Sequence, residues 1–547
     1  MLLLVPALVG SPFARIGTSD IEGNRLYRAY FTADFVWHTA LVAEMMKGTQ
    51  PPRNPYLASQ PVHYYWTYFL VPAAIAGETP IRDVEMALKV NALCTALLFV
   101  AAIYLAAWSA VPAHGFAVAV AVLLTTVAAS AEGWKGIIDL LGRGRSLGGL
   151  RDLNIDAMTA WAFGGLRIDN IPRSMWYTPQ HSMAFAVGLI SMPVAVTGGV
   201  RVHPGAVALT GLALALSVTF NPLVGVMLSA VYGVAVVGGA LRTRADIRDV
   251  LTYVLAVLPV VAAVGWCAFN QVAEGAGSVL RFGLLGPARQ RPIASFLLSF
   301  GPILIPAGIG LLTVRSVPFS RVWPAFAGVI LAVLVMHFVT LEVDLFWIGF
   351  RTGQLFFVLV PALVARGLII LWQAGFRRLA IAVVLIVLAA GLPTTVIDAY
   401  NAQDVDNRRM GPGFHWTVAL TPAEQEGLAW IRTHTPAEAI VQAEPTVRGR
   451  ETWSLIPSFA ERRMAGGLPI SLMHVPEYDT KSAQVRQIYT SDDAVAAWQI
   501  AKQLGIDYLY VDAIERLAYP GVAKFDAHPE YFSAAFRNAE VTVYAVK

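Results

Sequence analysis

The sequence predicts a mainly α, polytopic helical membrane protein that ends in a soluble α/β domain. Hydrophobic residues make up 56% of the 547 and charged residues only 14%, against about 25% charged in a typical soluble domain. Mean hydropathy is +0.58, and apolar windows of about 20 residues recur, such as 90–108 and 379–392 with its flanks, long enough to cross hydrocarbon. From about residue 398 charges, prolines and short alternating runs return, so a soluble domain of ordinary size is expected there.

The elements follow in order. Residues 1–10 are apolar but about half the length of a spanning helix, and no basic segment precedes them. We read them as the tail of a first, truncated transmembrane helix; a short interfacial anchor is the plainer alternative. Spans are expected at about 88–110, 114–131, 181–200, 205–220, 222–241, 249–272, 294–314, 322–341, 352–371 and 377–397. The membrane domain is thus 1–397, with outside loops at about 11–87 and 131–180, and 398–547 is the soluble domain. Residues 64–77 are apolar too, but they are short and carry Pro72. We read them as a juxtamembrane or half-inserted helix, which protein must cover at that depth. Arginines of short loops set the orientation. Arg242, Arg244 and Arg248, Arg315 with Arg321, and Arg377 with Arg378 mark cytoplasmic loops. Glu342 and Asp344, the segment around Asp34 and the C-terminal domain then fall outside. In the tail, Thr421-Pro-Ala-Glu424 predicts a capped helix start. Strands are expected at 439–443, 508–511 and 541–546, and a helix at 491–504 stopped by Gly505.

Composition narrows the function. The net charge of +4 comes from loop arginines and forms no clustered basic face of the kind nucleic acid needs. Cys94 and Cys267 lie in apolar runs and read as small buried hydrophobes. No Gly-Lys-Ser/Thr phosphate loop, no Gly-x-Gly-x-x-Gly fingerprint and no zinc spacing occurs, which removes support for ATP-driven transport and redox chemistry.

Four stretches carry the chemistry-bearing residues. Asp34 and His38 share a helical face with Trp37 and Leu41, and Glu44 lies further along. A carboxylate beside an imidazole can take a proton from a hydroxyl or help hold a divalent cation; the plainer reading is a solvated helix face. In 51–66 the prolines fix a loop, and His63, Tyr64, Tyr65 and Trp66 offer flat amphipathic faces. Sugars bind such faces, and so does a membrane headgroup region. The loop 131–180 holds Glu132, Asp139, Asp152, Asp156, Asp169 and Arg173, most of which read as structural, and it ends at His181 at the mouth of a span. Arg351 opens an apolar helix after Glu342 and Asp344; it either snorkels to the interface or clamps a phosphate.

The acid in the first outside loop, the Gly-x-x-Pro-x-x-Asn-Pro pattern of 48–55, the following aromatics, the many spans and the outside tail together resemble the GT-C superfamily. These are membrane glycosyltransferases that use polyprenyl-phosphate-linked sugars, among them protein O-mannosyltransferases and lipid A aminoarabinose transferases. The Tyr64-Tyr-Trp66 run and the tail residues Glu515 to Pro520, Lys524 to Asp526 and Val541 to Tyr544 look closer to the tyrosine-rich "YYY" branch. The resemblance implies a GT-C-like fold. It also implies sugar transfer from a polyprenyl-phosphate donor to a glycan, lipid or protein acceptor on the outer face, with Asp34 as catalytic base. His38, His63, Tyr64, Tyr65, Trp66, His181 and Arg351 would then bind substrate. A divalent cation such as Mg or Mn is left open as cofactor, and no acid stands clearly in the family's second catalytic position. The expected place is a bacterial inner or plasma membrane with the tail extracytoplasmic. A non-catalytic GT-C-like lipid- or glycan-binding protein, or a transporter, is the alternative; the concentration of polar groups in outside loops weighs against transport.

Overall fold

The computed structural model describes residues 2–28, 33–153, 155, 168–197, 202–272, 280–284, 291–314, 317–341, 346–409, 416–447, 455–467 and 477–547. The chain forms two compact units. One comprises Met1–Pro12, Ala92–Phe269 and Gly277–Ala402; the other comprises Phe13–Asn91, Asn270–Ala276 and Gln403–Lys547.

The first unit is helical. Among the described residues of the chain, 8 helices are long and apolar enough to cross a membrane: Val84–Ala110, Pro112–Gly142, Pro222–Thr243, Val250–Phe269, Pro292–Ile309, Phe319–Phe338, Arg351–Gln373 and Arg377–Gln403. This is a multi-pass membrane protein. The run expected at 181–200 is broken into Pro179–Gly188, a 3-10 turn Leu189–Ser191 and Met192–Val196, and Pro204–Phe220 has 17 residues. Phe346–Gln373 is the central helix. Of its apolar stretch 94% is buried, against 22% for Val250–Phe269. Where helices meet in lipid, small residues let backbones approach. A Cβ on Gly367 would overlap the Pro306 carbonyl, and one on Gly310 would overlap the Leu363 carbonyl. Large apolar side chains such as Leu98, Leu105, Phe116 and Leu385 are exposed, as a lipid-facing surface requires.

The second unit is α/β. Residues Phe532–Arg537, Thr542–Val546, Tyr508–Val511 and Val441–Gln442 form a four-stranded sheet in that spatial order, antiparallel except for the last pair. Helices Glu477–Thr490 and Ala494–Gln503 flank its core of Val485, Ile488, Tyr489, Leu509, Val511 and Phe525. Local signals set the helix ends. Thr421 and Glu424 form the reciprocal capping box of Pro422–His434. Asp493 caps Ala494–Gln503, and Gly505 takes the left-handed φ of +68° just past that helix. A second sheet joins distant parts of the chain. Thr18–Ser19 pairs with Arg25–Arg28, which pairs antiparallel with Thr417–Leu420. Residues 66–78 fold as a 3-10 turn Trp66–Phe69 and a helix Leu70–Glu78 of 9 residues. That helix rises about 14 Å, too little for a bilayer core of ~30 Å.

Candidate active site

Asp34 is the second residue of the helix Ala33–Met46, where the helix dipole favours a carboxylate. One turn on, the Trp37 indole N–H donates to Asp34 Oδ1 at 3.3 Å and holds the half-buried carboxylate in place. His38 is buried, its ring 4.4 Å from Trp37 and 4.8 Å from Phe69 between centroids. Loss of hydration penalises its charged form and pushes the imidazole down to about 3. At neutral pH it is an uncharged ring that can exchange hydrogen bonds but cannot neutralise a phosphate.

The proline loop arrives beside this face. Asn54 Oδ1 accepts the Tyr56 N–H at 2.9 Å, closing a local turn, while Asn54 Nδ2 donates to the Tyr478 hydroxyl at 2.6 Å. The Ala58 N–H donates to the Met464 carbonyl and the Met464 N–H to that of Pro55, at 2.9 and 2.8 Å. The loop thereby delivers Tyr64 edge-on to Trp37 at 5.1 Å, with Tyr65 stacked on Tyr64 at 3.9 Å. Tyr64, Tyr65 and Trp66 are all buried. His63 is buried as well, with Nδ1 3.3 Å from the Gln271 carbonyl oxygen. Asp34, His38, Tyr64 and Tyr65 thus share one aromatic nest built around Trp37 and Phe69. Glu44, on the same helix, is an anchor. Arg463 grips both its oxygens at 2.6 and 2.9 Å, and the Arg53 N–H donates to it at 3.1 Å.

The remaining expected site residues belong to the membrane unit. His181 is buried in the first turn of Pro179–Gly188, its N–H donating to the Thr178 carbonyl at 2.8 Å. Arg351 is buried in the central helix. Gln354, one turn along, has neither amide atom hydrogen-bonded among the described residues. Glu342, Asp344, Asp156 and Arg315 lie outside the described residues.

A buried ionic cluster in this unit went unrecognised in the sequence. Arg173 Nε donates to Asp398 Oδ2 at 2.8 Å, Nη2 lies 2.7 Å from the same oxygen as an ion pair, and Nη1 lies 4.0 Å from Glu132. Glu132 also accepts from Ser130 and Ser299 at 3.0 and 3.3 Å. Asp398 sits near the end of an apolar helix, and an ionisable group in such a run is the signal that could have found it. Among the described residues no three His, Cys, Asp or Glu side chains gather as a cation site.

No family model matches the chain, and no curated protein does. Solved structures do. ArnT from Cupriavidus metallidurans, bound to undecaprenyl phosphate, is 13% identical with a TM-score of 0.50 over 100% of this chain and 97% of that one. The Archaeoglobus fulgidus oligosaccharyltransferase, in a complex with Zn and sulfate, is 14% identical with a TM-score of 0.48 over 100% of this chain and 72% of that one. The likeness to the Cupriavidus metallidurans protein supports the fold of a polytopic helical membrane protein with a C-terminal α/β region. At such identities the likeness bears on the fold alone.

Proposed function

We propose that the protein is a membrane glycosyltransferase that moves a sugar from a polyprenyl-phosphate donor to an acceptor hydroxyl on the outer face of a bacterial inner or plasma membrane. The observation that carries this reading is Asp34, half-buried and held by Trp37, against which the stacked tyrosines pack, on a fold like that of a protein solved with undecaprenyl phosphate. Asp34 Oδ takes the acceptor proton. The acceptor oxygen bonds to the anomeric carbon as the bond from that carbon to the phosphate oxygen breaks, so the sugar inverts and polyprenyl phosphate leaves. Tyr64, Tyr65 and Trp66 are the aromatic groups assigned to the sugar, which must open their buried stack to reach a ring face, with neutral His38 and with His63 as hydrogen-bonding neighbours. Arg351 supplies the forked donors that suit a phosphate, and His181 is a second polar group of the membrane unit. The membrane domain ends near residue 397, and the tail from 398 is extracytoplasmic.

The tying-up of Glu132 and Asp398 by Arg173 favours one competing reading, a GT-C-like protein that binds lipid or glycan without transferring sugar. Asp34→Asn decides between them. Purified protein in native-lipid nanodiscs, given radiolabelled polyprenyl-phosphate sugars and extracted membrane acceptors, is expected to form product. The variant should lose at least 10²-fold in rate with an unchanged melting temperature. Full activity in the variant removes the assignment, and no turnover by the parent protein favours the binding reading.

A further inference from the structure

The α/β unit contains a polar cavity of about 260 Å³ that the transfer chemistry does not use. Thr39 of the helix Ala33–Met46 and Leu420 of the strand Thr417–Leu420 form part of its wall. Arg25 belongs to the strand Arg25–Arg28, and Asp83 and Glu85 stand at the start of Val84–Ala110. Gln425 and Arg432 lie on Pro422–His434, and Ser458 and Glu461 come from the turn at 456–461.

The chemistry of these walls selects a class of ligand. Each guanidinium already faces a carboxylate, Arg25 with Glu85 at 3.0 Å and Arg432 with Glu461 at 3.6 Å. With Asp83 added, three carboxylates meet two guanidiniums, so an anion finds no surplus positive charge. Both amide protons of Gln425 are committed, to the carbonyls of Gly23 and Leu420 at 2.9 Å each, which leaves its Oε1 as an acceptor. The buried Ser458 hydroxyl has no hydrogen-bond partner among the described residues. Donors and acceptors therefore both line the cavity, whose charges balance once the Lys89 ammonium, 2.7 Å from Glu85, is counted, and the Phe459 ring is among the lining groups. Vicinal hydroxyls on a ring with an apolar face meet that pattern. The volume, below the roughly 300 Å³ at which drug-sized pockets begin, suits one such ring.

The backbone carries a further mark. Residues Ile456–Ala460 form a π-helical turn, and Glu461 follows at φ 57°, ψ 28°. A non-glycine residue in this left-handed region is a strained placement of the kind that collects at ligand sites, and π-turns often share that setting.

We propose that this cavity is a carbohydrate subsite that holds one neutral sugar residue of a glycan. The proposal extends the transferase reading by naming a place for a glycan outside the reacting centre, yet its binding test is independent of turnover. The probes are the methyl glycosides of glucose, mannose, galactose and arabinose, observed by saturation-transfer NMR against the full chain in nanodiscs, with putrescine and inorganic phosphate as controls. At least one glycoside should give a saturable signal. Ala429→Trp, which fills the cavity from the helix Pro422–His434, should weaken it at least tenfold. Glu461→Gly removes a carboxylate where glycine is the easier residue, so it should keep the melting temperature and weaken the signal severalfold. Asp34→Asn should leave it intact, so that lost transfer with retained binding separates the two ideas. Absence of any glycoside signal, a signal indifferent to both cavity variants, or saturable binding of putrescine or phosphate in place of glycosides overturns the proposal.

Discussion

His38 is kept neutral by its surroundings, and that has a measurable cost in acid. Its ordinary value is 6.5 and burial takes it to about 3. Between those values the unfolded chain binds a proton that the folded chain does not. Stability therefore falls as pH drops from about 6.5 toward 3, by up to about 1.4 kcal/mol per pH unit from this group. His38→Gln is expected to lower the melting temperature less steeply than the parent chain over pH 6.5 to 4; parallel slopes would contradict the neutral ring. Glu44 acts through a buried ion pair. It is buried against Arg463 with Lys47 3.1 Å away, and removing one member of a buried ion pair strands the others. Glu44→Ala should cost about 3–5 kcal/mol, read as a large drop in melting temperature. That Asp34 and His38 lie on one helix was legible from their i,i+4 spacing. The neutrality of His38 was not, because it depends on Phe69, which arrives from another element. The bond between Arg173 and Asp398 was equally hidden, since 225 residues separate the partners.

At the scale of elements, short-range chemistry was readable and long-range pairing was not. The helix Pro422–His434 begins where the Thr421-Pro-Ala-Glu424 signal puts it, because the cap is closed by residues three apart. Thr421 Oγ1 also donates to Glu540 at 2.8 Å. Thr421→Ala should therefore cost at least the ~1 kcal/mol of a lost cap, whereas Thr421→Ser should recover most of it in thermal unfolding. The strands expected at 508–511 and 541–546 appear as Tyr508–Val511 and Thr542–Val546, since runs of aromatic and β-branched residues mark them. The strand Arg25–Arg28 carries no such run, and its partner Thr417–Leu420 lies far along the chain. Long apolar spans were legible by length. The break within residues 179–196 was not, because one short 3-10 turn interrupts a run that is mostly apolar on both sides of it.

For the whole molecule, orientation is the quantity that transfer on the outer face requires. In a chain freed of Cys94 and Cys267 by alanine, Glu530→Cys on the exposed surface of the tail should react with an impermeant maleimide added to intact cells. Arg377→Cys, at the start of the last long helix, should react only after the membrane is opened. Reversal of the two would place Asp34 away from a donor on the outer leaflet. The pairing of Arg25–Arg28 with Thr417–Leu420 adds an arithmetic rule. Main-chain hydrogen bonds cannot be made through a bilayer, so both strands occupy one aqueous compartment. The chain between them must cross an even number of times. The 8 long apolar helices all lie in that interval and meet the condition. Any revised count has to add or remove crossings in twos, which rules out 64–77 as a lone extra pass. A single reporter fused to either strand therefore fixes the compartment of both.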